Sequence, residues 1–248
     1  MELRTFFTAH PKAALAFSGG ADSAYLLWAA VTAGAEVGAY YVKTAFQPDF
    51  ELADAKRVCE LLGLKLHILE LDVLAVPEVA DNPKDRCYFC KRAIFSAICQ
   101  AAGRDGFELV IDGTNASDDE GDRPGMRALR ELGVVSPLRL CGVTKKELRR
   151  RSREAGLFTH DKPAYACLAT RVQSGVPLCA GLLEQVDRAE RTVAALGFSD
   201  FRVRTDGQNA RLEVVEAQLP LAREKWPAIC AALAEFTHLT LGERIPRE

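Results

Sequence analysis

Residues Ser18-Gly19-Gly20-Ala21-Asp22-Ser23 stand between the apolar run Ala13-Ala14-Leu15-Ala16-Phe17 and the helix-forming run Ala24-Tyr25-Leu26-Leu27-Trp28-Ala29-Ala30. A β-type run, a two-glycine turn and a helix start in direct succession leave little choice of fold. The strand must pass at once into a helix that packs back on its own sheet. The glycines remove side chains where the backbone bends sharply and another group comes close. Ser18, Asp22 and Ser23 frame a helix N-terminus, whose unpaired N–H groups and positive dipole end suit a phosphate chain. No lysine follows the glycines, so this is not GxxxxGK[ST], and the spacing is not GxGxxG. The plain alternative is a serine-capped turn that happens to be glycine-rich.

The rhythm set by this unit continues. Strands are expected at 13–17, 37–42, 65–69, 109–112 and 134–136, and helices at 22–33, 51–62, 91–102, 126–131 and 145–155. Gly34, Gly63, Gly103 and Gly156 follow these helices, where a left-handed C-cap favours glycine. Thr144-Lys145-Lys146-Glu147 fits a capping box. The expected fold is α/β, a doubly wound parallel sheet with ligands at the carboxyl ends of its strands, where Ser18–Ser23 falls. After residue 160 the rhythm changes. A loop with Cys167 and Arg171 leads to a helix near 180–196. Runs at 201–205 and 210–215 then pair as a hairpin across Asp206-Gly207-Gln208-Asn209, followed by a helix at 221–235 and a run at 239–241. This reads as a smaller C-terminal α+β domain, giving domains at 1–160 and 161–248.

The 248 residues suffice for two cores, and a net charge of −2 argues against a dominant nucleic-acid surface. The basic run Arg149-Arg150-Arg151 suits the C-terminal turn of a helix. The most hydrophobic window, 24–42, is broken by Gly34 and Glu36, so it reads as helix then strand rather than a membrane span. Met1-Glu2-Leu3-Arg4 precedes only a short mixed run, without a long apolar core, which points to the cytoplasm.

Eight cysteines in such a chain do not suggest a secreted disulfide framework. Cys59, Cys99 and Cys230 sit in helix-like apolar stretches and read as small core residues, while Cys141 and Cys179 carry no signal. Cys87-Tyr88-Phe89-Cys90 is a CxxC, and Cys167 lies in Ala166-Cys167-Leu168-Ala169-Thr170-Arg171. Three thiolates with an open fourth position suit a [4Fe–4S] cluster, and zinc fits the spacing equally well, with His160 as a weak fourth ligand. Asp112-Gly113-Thr114-Asn115 ends another strand, so Gly113, Thr114 and Asn115 should reach the same sheet edge as Ser18. The acidic run 117–125 lacks EF-hand spacing; it reads as a solvated loop, one carboxylate of which would help hold Mg²⁺. Arg202 and Arg204 share a strand face, which suits either an anion clamp or a solvated edge.

Taken together these segments resemble the ATP pyrophosphatases (adenine nucleotide alpha hydrolase-like, PP-loop), and within them the LarE family of ATP-dependent sulfur transferases. The resemblance rests on SGGADS at 18–23, PKDRCYFCK at 83–91, DGTNASDDEGDRPGMRAL at 112–129, KPAYACLATR at 162–171 and FRVR at 201–204. It implies that ATP adenylates a carboxylate of pyridinium-3,5-biscarboxylic acid mononucleotide, releasing pyrophosphate. Protein-borne sulfur then gives a thiocarboxylate on the way to the nickel-pincer nucleotide of lactate racemase. It further implies that Ser18, Gly19, Gly20, Asp22, Ser23, Gly113 and Thr114 bind ATP with Mg²⁺. Arg171, Arg202, Arg204 and Glu190 would hold the anionic substrate, and Cys167 would be the sulfur-transfer centre. In one family variant a lone cysteine surrenders its sulfur. In the other, the equivalent cysteine and a CxxC pair hold a [4Fe–4S] cluster, and the presence of Cys87 and Cys90 favours that variant here. A sulfide donor and a homo-oligomer are the partners consistent with the resemblance, with no membrane and no nucleic acid. The rival readings are a tRNA thiolation enzyme of the same superfamily and a non-enzymatic zinc- or nucleotide-binding module.

Overall fold

The computed structural model describes residues 1–118, 124–163 and 165–244. In chain order the elements are α1 (Leu3–Ala9), β1 (Lys12–Ala16), α2 (Ala21–Thr32), β2 (Glu36–Lys43), α3 (Asp49–Leu61), β3 (Leu66–Glu70), α4 (Pro77–Ala80), α5 (Arg86–Arg104) and β4 (Val110–Ile111). There follow α6 (Pro124–Glu131), α7 (Pro137–Leu140), α8 (Lys145–Glu154), α9 (Ala180–Ala195), β5 (Arg202–Thr205), β6 (Ala210–Val214), α10 (Leu219–Glu224), α11 (Trp226–Ala232) and β7 (Leu239–Glu243). They form two compact units, one of residues 1–76 and 85–165, the other of 77–84 and 166–248.

In the first unit the sheet is parallel, in the order β3-β2-β1-β4. Strand alternation sends side chains to both faces. Ala13, Leu15, Val37, Ala39 and Tyr41 join a core with α1, α2, α3 and α8, while Ala14, Tyr40 and Val42 join another with Phe95, Ile98, Met126 and Leu129 of α5 and α6. A sheet covered on both faces needs continuous apolar strands, and β2 is buried from Val37 to Val42. This is the α/β, parallel-sheet architecture expected from the sequence. The order reverses between β1 and β4, and both strands end at that switch point, where open α/β sheets place their ligands.

Several local expectations are corrected. The run 134–136 contributes only a single parallel bridge, Val135 to Ile111, because Pro137 opens α7 immediately afterwards. Gly103 lies inside α5, and Gly106, at φ +79°, is the left-handed residue past its end. The helix expected at 221–235 is two helices, the second opening with Trp226-Pro227. Cys230, expected in a core, is exposed on α11, whereas Cys59 is buried. The segment Leu3–Ala9, read as a mixed run, is a helix whose Leu3, Phe6 and Phe7 are buried. The Thr144 cap is present, its hydroxyl accepting from the Glu147 N–H.

In the second unit β5 pairs antiparallel with β6, and β6 parallel with β7. Val203, Ala210, Leu212 and Val214 pack there against α9, α10 and α11. Among the described residues no helix is long and apolar enough to cross a membrane.

Candidate functional site

The loop between β1 and α2 is built by close approach. Gly19 has φ +71°, and a Cβ there would stand 2.9 Å from the Glu51 carbonyl oxygen and 2.9 Å from the Ala55 nitrogen of α3. Only glycine fits both the conformation and the space. Gly20 is the N-cap of α2 and offers no side chain to its first turn. The opening N–H groups of a helix have no partners within it. The Ser18 and Ser23 hydroxyls lie 3.1 Å apart, and Ser23 donates to the Gly20 carbonyl at 3.3 Å.

The loop after β4 meets the same helix end. A Cβ on Gly113 would stand 3.0 Å from the Ser23 nitrogen and 3.2 Å from its Cα. Thr114 donates to Asp112 in a short hydrogen bond, and Ser136 donates to the other Asp112 oxygen at 2.5 Å. Asn115 is buried, and its amide donates to Asp22 at 3.1 Å while its oxygen accepts from the Ser117 N–H at 2.8 Å. The structure therefore brings Ser18, Gly19, Gly20, Asp22, Ser23, Gly113 and Thr114 to one sheet edge. Asn115 reaches this edge as well, where its amide braces Asp22. Of the acidic run, 119–123 lies outside the described residues, and the Asp118 carboxylate accepts from the Asn115 N–H at 2.9 Å.

Two lysines at this edge went unread in the sequence. Lys145 donates to Asp22 at 2.5 Å, and Lys162 donates to Asp54 at 2.6 Å and to the Gly19 carbonyl at 3.4 Å. Lys145 had left a signal: it occupies the first turn of α8, where the helix dipole disfavours a cation. A carboxylate from elsewhere offsets that. Beside Ser18, on the other side of the strand ends, lies a cavity of about 140 Å³ lined by Phe17, Tyr41, Gln47, Glu51, Ile94 and Phe95 among others. Burial, reinforced by Glu51 and Asp49, pushes the Tyr41 hydroxyl well above its ordinary pKa, so it stays a neutral donor there.

Cys87 and Cys90 occupy the first turns of α5 at i and i+3, spaced to share one helix face. Cys87 is exposed and accepts a weak bond from Arg86 at 3.7 Å, while Cys90 is buried. The intervening Tyr88 anchors the motif on α6, donating to Glu131 at 2.7 Å with the Arg127 guanidinium 3.8 Å from its ring centroid. Cys167, half-buried, precedes the 3₁₀ turn Leu168–Arg171 in the other unit. Among the described residues, no three His, Cys, Asp or Glu side chains are already gathered as a metal site.

In the second unit Arg171 is fully enclosed. Its guanidinium donates to both Glu190 oxygens at 2.8 and 3.1 Å and to the Ala166 carbonyl at 2.7 Å. Glu190 also accepts from the Val203 N–H at 3.0 Å. Arg202 is buried, and desolvation, with Arg171 and Arg244 nearby, brings its pKa down to about 10. Arg204 is exposed, paired with Glu213 at 2.7 Å and donating to the Thr170 carbonyl at 3.0 Å. It borders a cavity of about 580 Å³ shared with Arg171, Thr205, Arg211, His238 and Thr240.

Residues 12–80 match the family described as queuosine biosynthesis protein QueC. A pyridinium-3,5-bisthiocarboxylic acid mononucleotide synthase of Lactiplantibacillus plantarum is 31% identical over 207 residues, spanning 83% of this chain and 75% of its own. A protein of Synechocystis sp. described as uncharacterized is 35% identical over 219 residues, spanning 88% of this chain and 81% of its own. A tRNA-specific 2-thiouridylase of Frankia alni is 28% identical over 185 residues, spanning 60% of this chain and 52% of its own.

Proposed function

From the premise that this chain belongs to the LarE family of PP-loop, ATP-dependent sulfur transferases, we propose that it inserts sulfur into pyridinium-3,5-biscarboxylic acid mononucleotide in the cytoplasm. The observation that carries the reading is the glycine-built edge at the β1/β4 switch point. There Gly19 admits no side chain, a Cβ on Gly113 would crowd the Ser23 backbone, and the N-terminus of α2 stands without a side-chain cap.

At that edge the loop backbone and the Ser18 and Ser23 hydroxyls suit the oxygens of a triphosphate. Asp22 is an anion, so it serves a nucleotide through Mg²⁺, with Asn115 and Lys145 fixing its orientation. The cavity beside Ser18 offers aromatic and aliphatic walls with Gln47 and Glu51, which fits a purine base. In the step so assembled, a substrate carboxylate oxygen bonds to the α-phosphorus while the bond to pyrophosphate breaks. The carboxyl becomes an acyl-adenylate, whose carbon accepts a sulfur nucleophile as AMP departs with the former carboxylate oxygen.

Arg204 has its exposed guanidinium beside the larger cavity, and Arg202 lies two positions before it on β5. We assign the substrate's anionic groups to these two. Arg171 and Glu190 hold the loop that carries Cys167 and the start of β5. The donor set Cys87, Cys90 and Cys167 fits an iron–sulfur cluster by its chemistry: three cysteines outside any disulfide, with Cys87 exposed. A [4Fe–4S] cluster on them would carry transferable sulfide at the iron that no protein thiolate binds.

Iron and acid-labile sulfide measured on anaerobically prepared protein, beside Cys90→Ala, test the cluster. About four irons per chain, lost in the variant, are expected. Zinc in their place refutes the cluster, and empty thiols return Cys167 to single use. Pyrophosphate release dependent on the pyridinium substrate tests the adenylation, and release that ignores the substrate refutes it.

A further inference from the structure

Pyrophosphate leaving the α-phosphorus carries several negative charges, and a helix N-terminus supplies the equivalent of only about half a positive one. The loop at 18–23 contains no lysine to add to it. The fold brings a cation from elsewhere. Lys162, on the segment that follows α8, places its ammonium 3.4 Å from the Gly19 carbonyl oxygen, 2.6 Å from Asp54 and 5.4 Å from the Phe50 ring centroid. Gly19 is in turn seated on the backbone of α3 at Glu51 and Ala55, the same helix that carries Asp54. Loop, helix and lysine thus form one contact.

An ammonium has three N–H donors, and Asp54 and Gly19 account for two. The Lys162 side chain is only 15% exposed, an expensive place for a flexible charge whose sole purpose is a surface ion pair. Such pairs contribute little stability.

We propose that Lys162 is a phosphate-binding residue of the nucleotide site, held beside Gly19 by Asp54 until a nucleotide arrives. With ATP bound, it donates to an oxygen of the departing pyrophosphate. As the bond from the α-phosphorus to the bridging oxygen breaks, the electron pair moves onto pyrophosphate, and Lys162 stabilises that charge without giving up its proton. Asp54 competes with phosphate for the ammonium, so removing its charge favours phosphate. The inference rests on the reading of this edge as the ATP site.

Calorimetric titration of the full chain with magnesium pyrophosphate, magnesium ATP and AMP separates the two. Lys162→Met is expected to weaken pyrophosphate by about 10- to 100-fold, the range for a charge-assisted hydrogen bond, and to leave AMP within about twofold. Lys162→Arg should recover most of the loss, and Asp54→Asn should tighten pyrophosphate by about two- to fivefold. A structural ion pair predicts the opposite for Asp54→Asn, a loss matching that of Lys162→Met. That result overturns the proposal, as does Lys162→Met binding pyrophosphate within twofold of the parent or losing AMP equally. A parent protein that binds ATP while its variants do not discriminate refutes only the role of Lys162. A parent that binds neither ATP nor pyrophosphate refutes the ATP site itself. If Lys162→Met does not fold, Asp54→Asn still decides, since tighter pyrophosphate binding supports the proposal and weaker binding overturns it.

Discussion

Replacing Glu190 by alanine removes a carboxylate that accepts three hydrogen bonds, from Arg171 Nε at 2.8 Å, Arg171 Nη2 at 3.1 Å and the Val203 N–H at 3.0 Å. It leaves a guanidinium with 0% side-chain exposure facing a hole. Breaking one side of a buried ion pair costs about 3–5 kcal/mol, because the surviving charge keeps its desolvation penalty. In a chain of this size about 2–4 °C accompanies each kcal/mol, so the melting temperature should fall by roughly 6–20 °C. Denaturant unfolding is the primary assay, with the midpoint shifted at unchanged slope. Removing both charges, in Arg171→Met with Glu190→Leu, should cost less than the two single changes summed, with a coupling of about 1–3 kcal/mol. The loss should also reach function locally, since Arg171 holds the Ala166 and Cys167 carbonyls. Alkylation of Cys167 should accelerate in Glu190→Ala. A loss under about 1 kcal/mol, or additive single changes, would refute the pair as the support of this loop.

Two further outcomes are expected. Gly113→Ala sets a Cβ 3.0 Å from the Ser23 nitrogen and 3.3 Å from the Asp22 carbonyl carbon, both backbone, so the first turn of α2 must shift. ATP affinity should fall at least tenfold with a stability loss of about 1–3 kcal/mol, and unchanged ATP titration would show that the two loops do not share a ligand. Burial pushes the Cys59 thiol up to about 11 and raises Cys99 and Cys141, so at pH 8 these should alkylate slowly beside the exposed Cys179 and Cys230. Their rates should climb as pH rises and thiolate forms. Mass spectrometry of the labelled peptides reads this, and equal rates at pH 8 would contradict it.

The glycine-built edge was legible because its determinants are local. Glycines at a strand end, a helix start and a second Gly-Thr run each leave a mark within a few residues. The lysines left weaker marks, since what Lys162 does depends on Asp54 and Gly19, which lie far away in sequence. Arg171 and Arg204 look alike as letters. Only packing tells that one guanidinium is sealed against Glu190 while the other faces solvent. Strand 134–136 failed for a different reason: its β-branched pair was right, yet Pro137 follows too soon for a ladder to form. Cys230 sits in apolar company along the sequence but on the outer side of a short helix.

The early segment Pro77–Lys84 matters for how the protein is made. Asn82, buried at φ +52°, donates its amide to the Gln173 and Val176 carbonyls, 91 and 94 positions later, and accepts from the Gly175 N–H at 2.8 Å. At about 5–20 residues per second, a ribosome takes roughly 5–20 s to deliver those partners. The unit that ends at Tyr165 is fully translated before the other has a single strand of its sheet. Through that interval the stretch from Pro77 to Lys84 is a small tethered piece of a unit awaiting the rest, and translation cut short at Tyr165 would leave it so.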